Sequence, residues 1–374
     1  MIAAAAELSC LVIQEMRVYR FDLPLKDVFT IATMSLSKAQ NLLVELKTNQ
    51  GISGWGEASP LRSIVGETQR INLAAAKELK PLVMGQNPLT IQALMDRMDA
   101  YLPHNTTLKS AVDMALFDLA AKVCGVPLYV FLGGEKRELE TDLTMGIGNP
   151  DEAGEKALSI RAMGFRMLKV KLGLKFEDDL KRLENIRKAI GPEPILRIDA
   201  NQGWDRVSAL KNLNAFADFD IEFCEQPCRA HDLQGMRFVS EHTTIPVMAD
   251  ESLFSVQDAL HIIQQDAAPY FNLKLSKSGG IRNTQKLAHV AEAGYRLCMI
   301  GCMSESRLGI TAAAHLACAN SVVRFCDLDS FLEHAENPIL GGVEIQGGRL
   351  LVPEVPGIGA YPDPDYIRRL EEVE

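Results

Sequence analysis

Two rhythms of apolar and polar positions divide this chain. In its first third, LLVELKTNQGISGWGEA (residues 42–58) alternates apolar and polar residues on either side of Asn49-Gln50-Gly51, the signature of two strands joined by a hairpin turn. INLAAAKELKPLVMG (71–85) and SAVDMALFDLAAKVCG (110–125) follow with apolar residues at helical spacing, and Gly125 and Pro127 supply a stop. Strands first and helices afterwards predict an α+β domain.

From about residue 139 short β-rich runs alternate with amphipathic stretches. The runs are TDLTMGI, FRMLKVKLG, ILRIDAN, IEFCEQP, IPVMAD, FNLKLSKSGG, YRLCMIG and VVRFCDLD. Segments such as FEDDLKRLENIRKAIG and NTQKLAHVAEAGY separate them, with glycine near the end. Eight strand candidates with helices between them predict a closed parallel barrel. A doubly wound open sheet is the alternative, and the first strand lacks the Gly-rich phosphate loop such a sheet would carry. The closing GGVEIQGGRLLVPEVPGIG reads as strands and turns.

The expected division is 16–135 for the α+β domain, 136–340 for the barrel and 341–374 for a C-terminal segment returning to the first domain. Residues 1–15 are expected to form an extension outside the fold: MIAAAAELSCLVI is apolar but short, Glu7 interrupts it, and Met16 opens the strand-like MRVYRFDL.

Composition narrows the classes of function. The 374 residues are 47% hydrophobic and 24% charged, as in an ordinary globular protein, and the formal net charge of −10 argues against a nucleic-acid partner, which requires basic surface. No apolar run approaches the roughly 18–20 residues of a membrane-spanning helix. These features fit a cytoplasmic enzyme, and they leave a homo-oligomer open. The eight cysteines are expected to be reduced thiols. Two pairs, Cys224/Cys228 and Cys298/Cys302, have C-x3-C spacing that a zinc site would also use, although core packing explains them as well.

The strand candidates end in unusual residues. Lys171 ends KVK, Asp199 ends RID, Glu225 ends EFCE, Asp250 ends VMAD, Lys274 lies in NLKLS and Asp327 begins DLD, from Lys171 to Lys274 each about one strand–helix unit after the last. A barrel gathers such residues at the C-terminal rim of its strands. Any one acidic residue after a strand is commonly a helix cap. Three at regular intervals form a hard oxygen set suited to magnesium. Lys169 and Lys171 share a strand face, and their repulsion should depress one pKa and leave an amine able to accept a proton. Lys274 approaches from four strands away, the opposite side of an eight-stranded barrel. Two bases facing each other across a metal suit inversion at a carbon next to a carboxylate, where a cation stabilises the charge that the departing proton leaves behind.

With KVK (169–171), DANQGW (199–204), EQP (225–227), ADES (249–252) and NLKLSKSGG (272–280), the chain resembles the enolase superfamily in its muconate-lactonising subgroup, from about Met16 to the terminal VPGIG. The resemblance implies a (β/α)7β modified TIM barrel with an N-terminal capping domain. It implies one Mg2+ per subunit on Asp199, Glu225 and Asp250, with Lys171 and Lys274 as the acid–base pair and Lys169 on the substrate carboxylate. FCDLDSFL resembles the dipeptide epimerases, whose paired aspartates, here Asp327 and Asp329, bind the free ammonium group of a dipeptide. Thr144 and Cys302 lie in further segments similar to that group. Members acting on Ala-Glu carry an arginine in a capping-domain loop. KDVFTIATMSLSK places Met34 there, and Arg62 in SPLRSIVGET is a basic residue that could replace the lost charge. The function so implied is epimerisation of a dipeptide. An N-acylamino-acid racemase or an o-succinylbenzoate synthase would use the same lysines and metal. A non-catalytic binding protein on the same barrel is the alternative of a different class.

Overall fold

The computed structural model describes residue 8 and residues 10–373. The N-terminal domain opens with an antiparallel sheet, β1 (Ile13–Ile31), β2 (Met34–Thr48) and β3 (Ser53–Ala58), in that order. Helices α1 (Gln69–Val83), α2 (Ile91–Tyr101) and α3 (Thr106–Cys124) follow. Every residue of α3 from Thr107 to Ala121 is buried. It lies so close to β3 that a Cβ on Gly54 or Gly56 would collide with the carbonyl oxygens of Ala115 and Ala111. The glycines of GWG are therefore a steric requirement of strand-on-helix contact.

Eight parallel strands build the second domain: β4 (Leu143–Met145), β5 (Met167–Lys171), β6 (Ile195–Asp199), β7 (Ile221–Glu225), β8 (Val247–Ala249), β9 (Tyr270–Leu273), β10 (Leu297–Ile300) and β11 (Val323–Cys326). Seven helices connect them: α4 (Ala153–Ala162), α5 (Phe176–Ile190), α6 (Arg206–Ala215), α7 (Leu233–His242), α8 (Val256–Gln265), α9 (Ile281–Ala293) and α10 (Arg307–Ala319). A parallel bridge between Thr141 and Cys326 brings the last strand to the first. The Leu328 amide donates to Thr141 Oγ1 across the same seam at 2.8 Å. The interior is packed. Phe223, Met248 and Met299 form a buried cluster with Tyr270 and Phe325 against it. The Arg197 guanidinium lies over the Phe223 and Phe325 rings and pairs with Asp142 and Glu222 at 2.8 and 2.7 Å.

Several local expectations change. Residues 1–7 and 9 lie outside the described residues, but 10–15 do not form an extension. Leu11 and Ile13 are fully buried, and the Ile13 carbonyl accepts from Gly85. In FNLKLSKSGG only the first part is strand; residues Leu275–Ser278 form a helical turn. KDVFTIATMSLSK is a paired hairpin rather than a loop, with Phe29 opposite Leu36 and Ile31 opposite Met34. A boundary at 340 would cut the strand Ile339–Gly341, which pairs with Ala360–Pro362. The tail then runs to β1, where the Val373 amide donates to the Val18 carbonyl. Cys224 and Cys228 are buried in the hydrophobic core as free thiols. Among the described residues, no helix is long and apolar enough to cross a membrane.

Gly56→Ala should test the strand–helix contact. Overpacking of this kind costs about 1–3 kcal/mol, so denaturant unfolding should show a loss of that size; an unchanged midpoint would show that α3 can retreat from β3 without cost.

Candidate active site

Side chains two apart on a strand share a face, so β5 sends Lys169 and Lys171 into the barrel and β6 sends Arg197 and Asp199. Glu225 ends β7, Asp250 follows β8 and Lys274 follows β9. All these side chains are buried. They meet as a lattice of opposite charges. Lys171 Nζ donates to Asp199 at 2.5 Å. Lys169 Nζ lies 2.6 Å from Asp327, 2.7 Å from Glu225 and 3.5 Å from Asp199. Lys274 Nζ lies 2.7 Å from Asp250 and 3.8 Å from Glu225.

The protonation states follow from this packing. Burial would depress Lys169, but Asp327, Glu225 and Asp199 outweigh it and hold its pKa well above the usual value. Lys274 is raised in the same way, against burial, by Asp250 and Glu225. Of the Lys169–Lys171 pair, Lys169 is therefore not the lysine depressed by mutual repulsion: nearby carboxylates dominate its ammonium. Burial, followed by Asp199, pushes Glu225 up to about 7. Asp250 goes the other way despite its burial, because Lys274 and Lys277 both bond it.

Several buried oxygens in this region, that of Asn272 among them, lack a hydrogen-bond partner. Glu225 Oε2 is near Lys169 Nζ but off a hydrogen-bonding direction, and Glu251 Oε2 and Asn201 Oδ1 are likewise unbonded. Asn201 Nδ2 donates to Glu251 Oε1 at 3.2 Å. Buried acceptors without donors beside Asp199, Glu225 and Asp250 form an oxygen-only set that fits a hard divalent cation. The three carboxylates are not drawn tightly together here, since each turns to a lysine. Among the described residues, Cys302, Asp327 and Asp329 are the group whose potential ligand atoms all lie within 4.8 Å of one another.

Above this lattice is a cleft open to solvent. Lys171, Lys274, Thr144, Cys302, Asp327, Asp329 and Met34 line it together. Lys169, Asp199, Glu225 and Asp250 lie outside its lining, tied to it through the lysines and Asp327. At one end the Thr144 amide donates to Asp329 at 2.6 Å and Thr144 Oγ1 to Asp327 at 3.3 Å. Asp327 and Asp329 differ sharply. Lys169 and Lys171 hold Asp327 well below the carboxylate range against its burial, whereas burial and the charge of Asp327 push Asp329 up to about 7. Leu25, Phe29, Ile31, Met34 and Leu36 from the β1–β2 hairpin, with Leu61 and Ile64, also line the cleft and form an apolar roof. Arg62 is exposed and lines a neighbouring groove instead.

Comparison with known proteins agrees with this fold. Residues 152–366 match the enolase C-terminal domain-like model, and residues 14–133 match the N-terminal domain model of mandelate racemase/muconate lactonizing enzyme. The chain belongs to the mandelate racemase/muconate lactonizing enzyme family. Its relatives in that family include the hydrophobic dipeptide epimerase of Enterococcus faecalis, 38% identical, covering 93% of this chain and 99% of that protein. The L-Ala-D/L-Glu epimerase of Clostridium acetobutylicum is 36% identical, covering 93% and 98%. A solved structure of the dipeptide epimerase from Cytophaga hutchinsonii, complexed with Mg and the dipeptide D-Ala-L-Val, superposes with a TM-score of 0.95 at 37% identity, covering 97% of this chain and 99% of that one.

Sequence reasoning missed part of this family member's site. Lys277 is fully buried; its Nζ bonds Asp250 through both carboxylate and carbonyl, and Asn272 O at 3.0 Å. Asn272 Nδ2 donates to Glu225 at 2.6 Å. Both lie in NLKLSKSGG, where alternation could have flagged Asn272 as inward, but Lys277 turns inward only because a helical turn replaces the end of the strand. Removing one partner of a buried ion pair costs about 3–5 kcal/mol. Lys277→Met should lose about 3 kcal/mol, the low end of that range, because Lys274 remains on Asp250. Chemical denaturation in chelator would measure it, and a loss well under 1 kcal/mol would show that Lys274 alone balances Asp250.

Proposed function

We propose that this protein is a dipeptide epimerase that inverts the α-carbon of the C-terminal residue by two-base 1,1-proton transfer. The observation that carries the reading is that Lys171 and Lys274, from strands four apart, share one cleft with the Asp327–Asp329 pair. Its relatives named as dipeptide epimerases support it.

In this reading Asp199, Glu225 and Asp250 hold a Mg2+ ion. When bound, it offsets the carboxylate charge that otherwise holds Lys274 protonated and stabilises the negative charge left on the substrate carboxylate by the departing proton. Lys169 holds that carboxylate from the barrel side, while Asp327 and Asp329 take the ammonium group at the other end, with Thr144 fixing their orientation and Cys302 beside them. The α-carbon then lies between the lysines. For one epimer, Lys171 Nζ takes the α-proton with its lone pair and the Lys274 ammonium delivers one to the opposite face; for the other epimer the roles exchange. One proton leaves carbon and one arrives, so no co-reactant is consumed. An N-acylated substrate would bring no cation to the aspartates and would leave them with an unmatched acidic pocket. This disfavours racemisation of acylamino acids.

The reading is tested by incubating a dipeptide in heavy water with magnesium and following α-deuterium by mass spectrometry and chirality by chromatography. Exchange and epimerisation should both require magnesium and vanish with chelator. Lys171→Ala and Lys274→Ala should each abolish inversion, while leaving exchange of at most one epimer. Epimerisation at the wild-type rate by Lys274→Ala would rule out the two-base scheme.

The apolar roof sets the expected second residue. A glutamate side chain there would be buried without a partner, which costs at least about 1–3 kcal/mol; Glu333, also on the cleft lining, adds repulsion. Ala-Val and Ala-Phe should therefore exceed Ala-Glu in kcat/KM by about tenfold or more. A clear lead for Ala-Glu would overturn this preference and leave the epimerase reading in place.

A further inference from the structure

Strand β2 has two roles. Its beginning carries Met34 and Leu36 over the cleft. Seven residues beyond Met34, Asn41 is almost fully buried and reaches into the barrel domain. Its Nδ2 donates to the Ser304 carbonyl at 2.8 Å and to Glu57 Oε1 at 2.8 Å. Glu57, on neighbouring β3, is fully buried. It accepts from the Ser306 amide at 2.8 Å, Ser306 Oγ at 2.6 Å and the Gly309 amide at 3.1 Å. Ser59 Oγ accepts from the Ser304 amide at 3.1 Å. A carboxylate of the capping domain thus sits on the N-terminus of barrel helix α10, where unpaired amides favour an anion.

The segment held in this way, residues 301–306, is itself a wall of the cleft through Cys302, Met303 and Ser304. The roof of the same cleft is the far end of β1 and β2. Strand β1 has its own attachments to the barrel: the Thr30 carbonyl accepts from Ile147, Leu25 bridges His334, and the Pro24 carbonyl accepts from Ala335. These lie along one edge of the hairpin. The Asn41–Glu57 clasp lies on the other strand, so the two attachments together set the tilt of the roof over the wall. Loss of the clasp would remove the Asn41–Ser304 bond that ties β2 itself to the barrel and leave the hairpin with the barrel attachments of β1.

We propose that Asn41 and Glu57 are positioning residues for substrate selectivity: by clasping residues 304–309 they set the separation of the Met34–Leu36 roof from the Cys302–Ser304 wall, and so the size of the pocket for the second side chain. This inference rests on the epimerase reading. Neither residue touches the cleft, so the effect reaches substrate only through the roof and the wall.

Glu57→Gln keeps the shape but loses the charge and one acceptor; Asn41→Ala is the second variant should the first fold poorly. For each, kcat and KM are measured with Ala-Ala, Ala-Val and Ala-Phe. The expected result is that the spread of kcat/KM between best and worst substrates narrows by about tenfold, the size of one charged hydrogen bond, mainly through KM. A merely structural role would reduce active enzyme and scale kcat equally for all three, and preserved ratios would overturn the proposal. Hydrogen–deuterium exchange of the substrate-free protein is the readout independent of turnover. Amides of residues 25–38 should exchange faster in Glu57→Gln while those of β5 and β6 keep their protection; hairpin exchange at the wild-type rate would also overturn it. If wild-type protein turned over none of the dipeptides, the epimerase reading and the selectivity claim would fall together, whereas altered ratios without hairpin loosening would reject the clasp alone.

Discussion

The structure depends on the mutual neutralisation of charges buried at the mouth of the barrel. Lys169, Lys171, Lys274 and Lys277 face Asp199, Glu225, Asp250 and Asp327 with very little exposure to solvent. An ion of either sign moved from water into such a place costs several kcal/mol after relaxation. None of these residues is tolerable alone, and each is held by partners that arrive on other strands. The lattice therefore needs a scaffold that fixes many strand ends against one another at once. A parallel barrel does so, because each strand is hydrogen-bonded to its neighbours, the Thr141–Cys326 bridge spans the seam between the last and the first, and the interior is packed below with aromatic and sulfur-containing side chains. Arg197 repeats the same rule deeper down, pairing Asp142 and Glu222 between two phenyl rings.

The cost of this arrangement is the source of its chemistry. Lysines surrounded by carboxylates are poor bases, and carboxylates surrounded by lysines are poor ligands, so the resting lattice holds both sets of groups in check. A divalent cation and an anionic substrate redistribute those charges together, since each supplies what the other displaces. The acidic pair at the opposite end works on the same principle. Asp329, next to the already charged Asp327, gives up its proton reluctantly, and a substrate ammonium is the counter-charge that would make its ionisation favourable.

The two domains contribute differently to selectivity. In the proposed reading, the barrel supplies rigid polar groups for the parts that all dipeptides share, a carboxylate, an α-hydrogen and an ammonium group. The capping domain supplies apolar contacts for the part in which they differ. Such contacts are weakly directional, and their selectivity depends on distance, which gives the Asn41–Glu57 clasp its significance.

Much of this was legible in the chain. Strand ends bearing Lys171, Asp199, Glu225, Asp250 and Lys274 recur once per strand–helix unit, and that spacing alone brings them to one rim whatever the details of packing. The two-residue period of a strand likewise put Lys169 with Lys171; Asp327 and Asp329 both reach the cleft although they follow β11 rather than lie on it. What the local pattern could not carry was anything set by contacts between distant segments. Lys277 faces Asp250 because β9 gives way to a helical turn. Leu11 and Ile13 join the core because they pack where the sequence suggested only an extension. Residues 26–38 become a hairpin with its apolar side over the cleft, while Arg62 faces a different groove. The charge states also depended on the fold: two lysines on one strand suggest repulsion, and only the three-dimensional arrangement brings enough carboxylates to reverse it. Sequence by itself determined which groups reach the barrel mouth, because backbone periodicity dictates direction; tertiary structure decided their partners and protonation, because those depend on distances between strands far apart in the chain.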